Sequence, residues 1–282
     1  AWCRHMCPIG LLLGIFSRLG AVQFTPKRRK SGGDIYTEKT ACPIMIDLPH
    51  KEESRHCIEC FRCVNPKAKG GLYLRLRKPG EEIEKIRNHN PGLAEIWFFF
   101  LGTGIALGGF LWLVIPQFQI WRQQLVIWTI DKEWWWALES GPSWLMVVEP
   151  ERREVFYWLD FMMIVGFMLG FMALLASILF LTTYLSSYLS KKLSSTPESV
   201  LTRFKELGYQ YAPVAMVSLI IGLGAKLFDL LKEIGLSSSA VANTKVSLFV
   251  IGMIWSLWLA HKILQTQGVN LSRRWLAMLP GA

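Results

Sequence analysis

Three cysteines, Cys57, Cys60 and Cys63, stand at C-x2-C-x2-C in the stretch SRHCIECFRC. That spacing lets one loop direct three thiolates at three corners of an iron–sulfur cube, so it points to cofactor ligation rather than nucleophilic catalysis. A cube needs a fourth ligand, and the position where the run would supply it holds Lys67. Upstream, Cys42 is followed by Pro43, the pairing whose thiolate, in two-cluster proteins, ligates the neighbouring cluster. Four thiolates also suit a structural zinc, although zinc sites usually draw on two separate cysteine pairs.

Counting back from Cys42 at the same spacing reaches Glu38, Ile35 and Gly32, while the second run ends in Lys67 and Ala68. The absent ligands are the set for one cluster. Cys42, Cys57, Cys60 and Cys63 are then the set for one retained 4Fe–4S cluster in a ferredoxin-like segment. Lys67 and Lys69 read either as solvated lysines or as positive charge beside a net-negative cofactor, where they would raise its potential. The other two cysteines, Cys3 and Cys7 in AWCRHMCPIG, are four apart and share one face of a helical turn. A redox dithiol, a metal-transfer site or extra cofactor ligation fits them, and so does packing in a buried turn. Pro8 suits the first position of a helix, and LLLGIFSRLG reads as a piece lying at a membrane surface.

The elements that must position these thiols are apolar. Of 282 residues, 52% are hydrophobic, with 13 Trp and 16 Phe, a composition that favours a membrane protein over a soluble one. Four stretches, about 96–121, 156–190, 207–230 and 245–264, approach the roughly 20 apolar residues that cross a bilayer core. The fold expected is mainly α: an integral membrane helical protein with a small cytoplasmic ferredoxin-like iron–sulfur segment. Residues 1–94 form the cluster-binding part and 95–282 the four-helix membrane part. LYLRLR, from Leu72, reads as a short strand of the first part.

Lys and Arg fall unevenly. Residues 1–94 hold 17 of the 31, against 4 in 122–154 and 3 in 226–245. Positive loops stay in the cytoplasm, which places both ends of the chain there, in a bacterial inner membrane. All six cysteines lie in the first 63 residues, on the side where thiols are kept reduced and clusters of them serve metals or catalysis. The net charge of +10 is then met by anionic lipid headgroups, and no motif asks for nucleic acid. The chain opens on Ala1 without an initiator Met or a leader, which reads as part of a longer chain.

Other candidates are weaker. His261 is the one His within a span, and a bis-histidine haem needs two, so it reads as an interfacial or satisfied His. Lys226 and Asp229 are spaced to pair along a helix. Trp121, Trp128, Trp134, Trp135, Trp136 and Trp144 read first as an interface anchor, and otherwise as a quinol pocket or a partner-docking surface. No nucleophile triad, phosphate loop or H-E-x-x-H pattern is present.

The order C-x3-C-P, CP-x-x-ID and C-x2-C-x2-C within residues 1–66 resembles the membrane-bound 4Fe–4S polyferredoxins. That group includes the ferredoxin subunit of periplasmic nitrate reduction, the nitrous oxide reductase accessory protein and a copper-handling oxidase assembly factor. The resemblance implies a membrane-bound electron-transfer component, not a stand-alone enzyme, that passes electrons between the quinone pool and a partner redox subunit. The alternatives are a metal-reducing or cofactor-assembly factor using Cys3 and Cys7, or a structural subunit with a relict cluster. Those relatives usually carry two clusters, and this chain departs from them in holding ligands for one.

Overall fold

The computed structural model describes residues 8–26, 42–43, 46–48, 51–55, 57, 59–64, 72–142, 144–146, 148–149 and 154–281. Helix α1, Pro8–Ser17, begins on the expected proline. Strand β1, Val22–Pro26, pairs antiparallel with β2, Leu72–Leu76, in the register Val22 to Leu76 and Pro26 to Leu72. The residues between these strands carry the C-x2-C-x2-C run, so the ribbon closes a long connection at its base. Arg77, just past β2, donates through Nε to the carbonyl of Gly20 at 2.8 Å and through one terminal nitrogen to those of Ser17 and Arg18. A guanidinium thereby satisfies the carbonyls left open where α1 ends.

Helix α2, Glu81–Glu84, follows a left-handed Gly80. Helix α3 runs Leu93–Val114 and stops there rather than continuing to residue 121 as expected. The reason is Pro116, which disfavours helical backbone at Ile115 and opens a new helix, α4, Pro116–Asp131. A two-residue ribbon, β3 (Val148–Glu149) with β4 (Glu154–Val155), precedes α5, Trp158–Leu193. The expected third span is broken. Helix α6, Val200–Leu207, passes through a single 3-10 turn into α7, Ala212–Leu223, and after Gly224 the chain bends by 61° into α8, Ala225–Glu233. The last long helix, α9, is Ser238–Thr266, and it is followed by α10, Leu271–Met278, and a 3-10 turn, Leu279–Gly281.

Among the described residues, α3, α5 and α9 are long and apolar enough to cross a membrane, with a fourth span if α6 to α8 count as one bent crossing. The chain divides into two compact units, residues 1–99 with 179–282, and residues 100–178. In the second unit α3 and α5 meet at Gly104 and Gly108. A Cβ on Gly104 would lie 2.7 Å from the Met172 Cα, and one on Gly108 2.9 Å from the Met168 Cα. Small residues four apart let two backbones approach where apolar burial alone gives no drive between helices.

Candidate functional site

The thiols come first. Cys42, Cys57 and Cys63 pack around one small core of Phe24, Leu48 and Leu72, while Cys60 is exposed. The Ile46 amide donates to the Cys42 sulfur at 3.4 Å, and the Lys51 ammonium to that of Cys57 at 3.2 Å, over the Phe24 ring. Glu59 and Phe61 take left-handed backbone, with φ of 51° and 62°, which turns the chain tightly between the cysteines. Burial pushes the Cys63 thiol up, opposed by the charge of Lys51. Yet no three His, Cys, Asp or Glu among the described residues stand close enough to share a metal ion. Three of the sulfurs therefore lie against an apolar core, and that of Cys60 stands outside it. Cys3 and Cys7 lie outside the described residues.

Beside the thiols stands a buried charge cluster that pattern reading passed over. Arg18 is fully buried. Its guanidinium lies 3.2 Å from Glu53, 3.6 Å from Glu82 and 3.7 Å from Glu95, and over the Tyr209 ring at 5.3 Å. Tyr209 donates its hydroxyl to Glu95 at 2.7 Å. Arg77 pairs with Glu82, whose two oxygens also accept the Ser54 amide. Burial raises the Glu53 carboxyl against the lowering charge of Arg18, and burial likewise lowers His89. The Arg18 cluster joins the end of α1, the loop carrying Glu53, α2, the first turn of α3 and the turn before α7. The available signal was an arginine inside LLLGIFSRLG and a carboxylate at the mouth of a long apolar run.

A second cluster gathers the end of α5, helix α6 and the residue that follows α9. Arg203, also fully buried, donates to Ser190 at 2.8 Å, to Thr196 at 2.6 Å and to the Gln267 carbonyl at 3.1 Å. The Gln267 amide accepts from Ser190 and donates to Glu206 at 2.8 Å, and Glu206 pairs with Arg87. The weaker expectations are redrawn. Asp229 pairs with Lys232 rather than Lys226, and His261 stands 3.0 Å from Arg274. All six tryptophans singled out in the sequence are exposed.

Several long apolar helices, closed at their ends by buried ion clusters, define a multi-pass helical membrane protein that contacts lipid. Within that class the chain belongs to the Yip1 domain family, whose model matches residues 75–282. Two relatives are uncharacterized proteins of Methanocaldococcus jannaschii. MJ0749 is 35% identical over 71 residues, 25% of this chain and 28% of its own, and MJ0750 is 32% identical over 72 residues, 26% and 29%. The chain thus spans little more than a quarter of the length of the curated relatives it matches. No solved structure matches.

These findings correct the sequence reading. The family is the Yip1 domain family, not the membrane-bound polyferredoxins. The helical membrane part stands, but no ferredoxin-like segment is supported: β2 pairs with β1 in a two-stranded ribbon. An iron–sulfur electron carrier serving the quinone pool is overturned by the family match and by the lack of a metal-sized ligand group among the described residues.

Proposed function

We propose that this protein is a membrane platform without a redox task, whose spans anchor and orient the thiol-bearing segment at the bilayer face. The observation that carries this reading is Arg18, which draws Glu53, Glu82 and Glu95 from three separate stretches around one buried cation. Such an arrangement fixes relative position, because removing one member leaves charge buried and unpaired. The excess of Lys and Arg in residues 1–94 supports a cytoplasmic placement of that segment. With α6 to α8 counted as one crossing, both ends of the chain lie on that side. In hydrogen exchange on the full chain in lipid nanodiscs, Arg18→Met should deprotect residues 51–55 and leave α5 and α9 protected. Unchanged protection at 51–55 overturns the platform.

The reading extends to Cys42, Cys57, Cys60 and Cys63 as ligands of one thiophilic metal centre that fastens the loop between β1 and β2. Three of the four already share the core of Phe24, Leu48 and Leu72, so gathering them takes a local loop movement. Metal and sulfide analysis of anaerobically purified full chain tests it. About one centre per chain, lost in Cys57→Ser, is the expected result. A chain free of metal whose Cys60 alkylates first, with Cys42, Cys57 and Cys63 following slowly, assigns the thiols to packing.

A further inference from the structure

A cavity of about 200 Å³ lies between α7 and α9, capped by the end of α10. The two helices run antiparallel, since Val214 donates its amide to Ser256 and a Cβ on Gly252 would meet Val217 at 3.1 Å. The cavity's two ends therefore differ. One is polar: Gln210 and Tyr211 line it, and a Cβ on Gly281 would sit 2.7 Å from the Gln210 Nε2, 3.0 Å from the Tyr211 hydroxyl and 3.5 Å from the Ser186 Oγ. The other is apolar, walled by Val214, Met253 and Phe249, with Met253 and Phe249 partly open to the outside. Along α9 the lining runs from Ala260 back to Phe249, about 16 Å at 1.5 Å per residue.

The polar end has unmet demand. Gln210 is only 4% exposed and its Nε2 has no hydrogen-bond partner, and the Ser186 Oγ, 1% exposed, has none either. A buried amide without an acceptor has given up its hydration and received nothing in return. Water is a poor answer along the apolar length. The volume is below the roughly 300–1,000 Å³ of sites for compact ligands. What fits is a narrow molecule with an acceptor oxygen at one end and a hydrocarbon chain at the other, and both walls belong to helices that contact lipid.

We propose that this cavity binds one chain of a membrane glycerolipid, with an ester or ether oxygen at the glycerol accepting from Gln210 and the hydrocarbon lying between α7 and α9 toward Phe249. The proposal needs the spans but not the platform role, so failure of one does not carry the other. The test is native mass spectrometry of the full chain released from nanodiscs of diacyl phosphatidylglycerol, and separately from nanodiscs of its dialkyl ether counterpart. One lipid should be retained per chain. Gln210→Leu, which keeps the volume and removes the donor, should lower retention about fivefold, and Gly281→Leu, which fills the polar mouth, should abolish it. Retention in the ester discs alone makes the acceptor a carbonyl, and equal retention makes the glycerol oxygen sufficient. No stoichiometric lipid in either disc, or retention indifferent to both substitutions, overturns the site. Circular dichroism of each variant separates lost lipid from lost fold.

Discussion

In residues 1–99 with 179–282, two fully buried arginines, Arg18 and Arg203, are ringed by carboxylates, hydroxyls and carbonyls. In residues 100–178 one ion pair, Arg122 with Asp160, is found among the described residues, and much of the remaining surface is apolar and exposed. The first unit is specified by polar groups that have no alternative partners once buried. The second is specified by close backbone approach at Gly104 and Gly108 and by a surroundings of lipid, on which Trp128, Trp134 and Trp136 form contacting rings. One unit is locked by direction and charge, the other by shape.

The sharpest way to break this contrast is Arg18→Met. It leaves Glu53, Glu82 and Glu95 near one another without their shared cation, and a buried pair broken on one side costs about 3–5 kcal/mol. Thermal unfolding in detergent should show a large drop in midpoint, and Arg18→Lys should recover only part of it, because an ammonium cannot reach several acceptors in a planar fork.

Gly104→Leu attacks the other unit. The new side chain meets the backbone of Met172 rather than the flexible end of a side chain, so the helices must separate, at about 1–3 kcal/mol for overpacking. A fluorescence or crosslinking measure of the distance between α3 and α5 should register the separation, while residues 51–55 keep their exchange protection. If Gly104→Leu is silent, close approach does not hold this unit together.

The difference between the units also explains what was legible in the sequence. Apolar runs announce spans by composition, so α3, α5 and α9 were visible, and LYLRL showed its alternation as a strand. The end of α3 is hidden in the sequence because residues 96–121 are uniformly uncharged and Pro116 leaves their hydropathy unbroken. Arg18 and Arg203 were invisible for the opposite reason. A charge in a sequence is read as solvated, and only long-range packing, such as Tyr209 reaching Glu95, shows that it is not. The cysteine spacing was legible as spacing. It could not say whether the sulfurs converge on a metal or line the small core at Phe24, Leu48 and Leu72, since both uses place sulfur inward.

Arg122→Gln should have a smaller effect than either substitution. Asp160 is buried, but Arg122 is over a third exposed, and screening of such a pair limits its worth to about 1 kcal/mol. Asp160 also keeps the Tyr157 amide at the start of α5, where a carboxylate favours the helix N-terminus. The expected result is a slightly lowered unfolding midpoint with α5 unchanged by circular dichroism, whereas Asp160→Asn should cost more by weakening both contacts.

The smallest effect is one of pH, and it returns to the polar unit. Burial lowers the His89 pKa below its ordinary value near 6.5, with nearby Arg18 and Arg77 acting in the same direction against the charge of Glu82. In the unfolded chain His89 takes up a proton as pH falls through its ordinary value, whereas in the fold it resists. The unfolded state then binds more protons, so the stability held above that value is lost progressively until pH passes below the folded pKa. Unfolding midpoints compared between pH 7.5 and 5.5 should fall on acidification, and His89→Gln should flatten that part of the profile. The same substitution should leave the distance between α3 and α5 untouched. A fall in midpoint that persists in His89→Gln would take the effect away from His89, and Glu53 could not supply it: burial raises its carboxyl, so the fold takes up that proton before the unfolded chain does and gains stability on acidification.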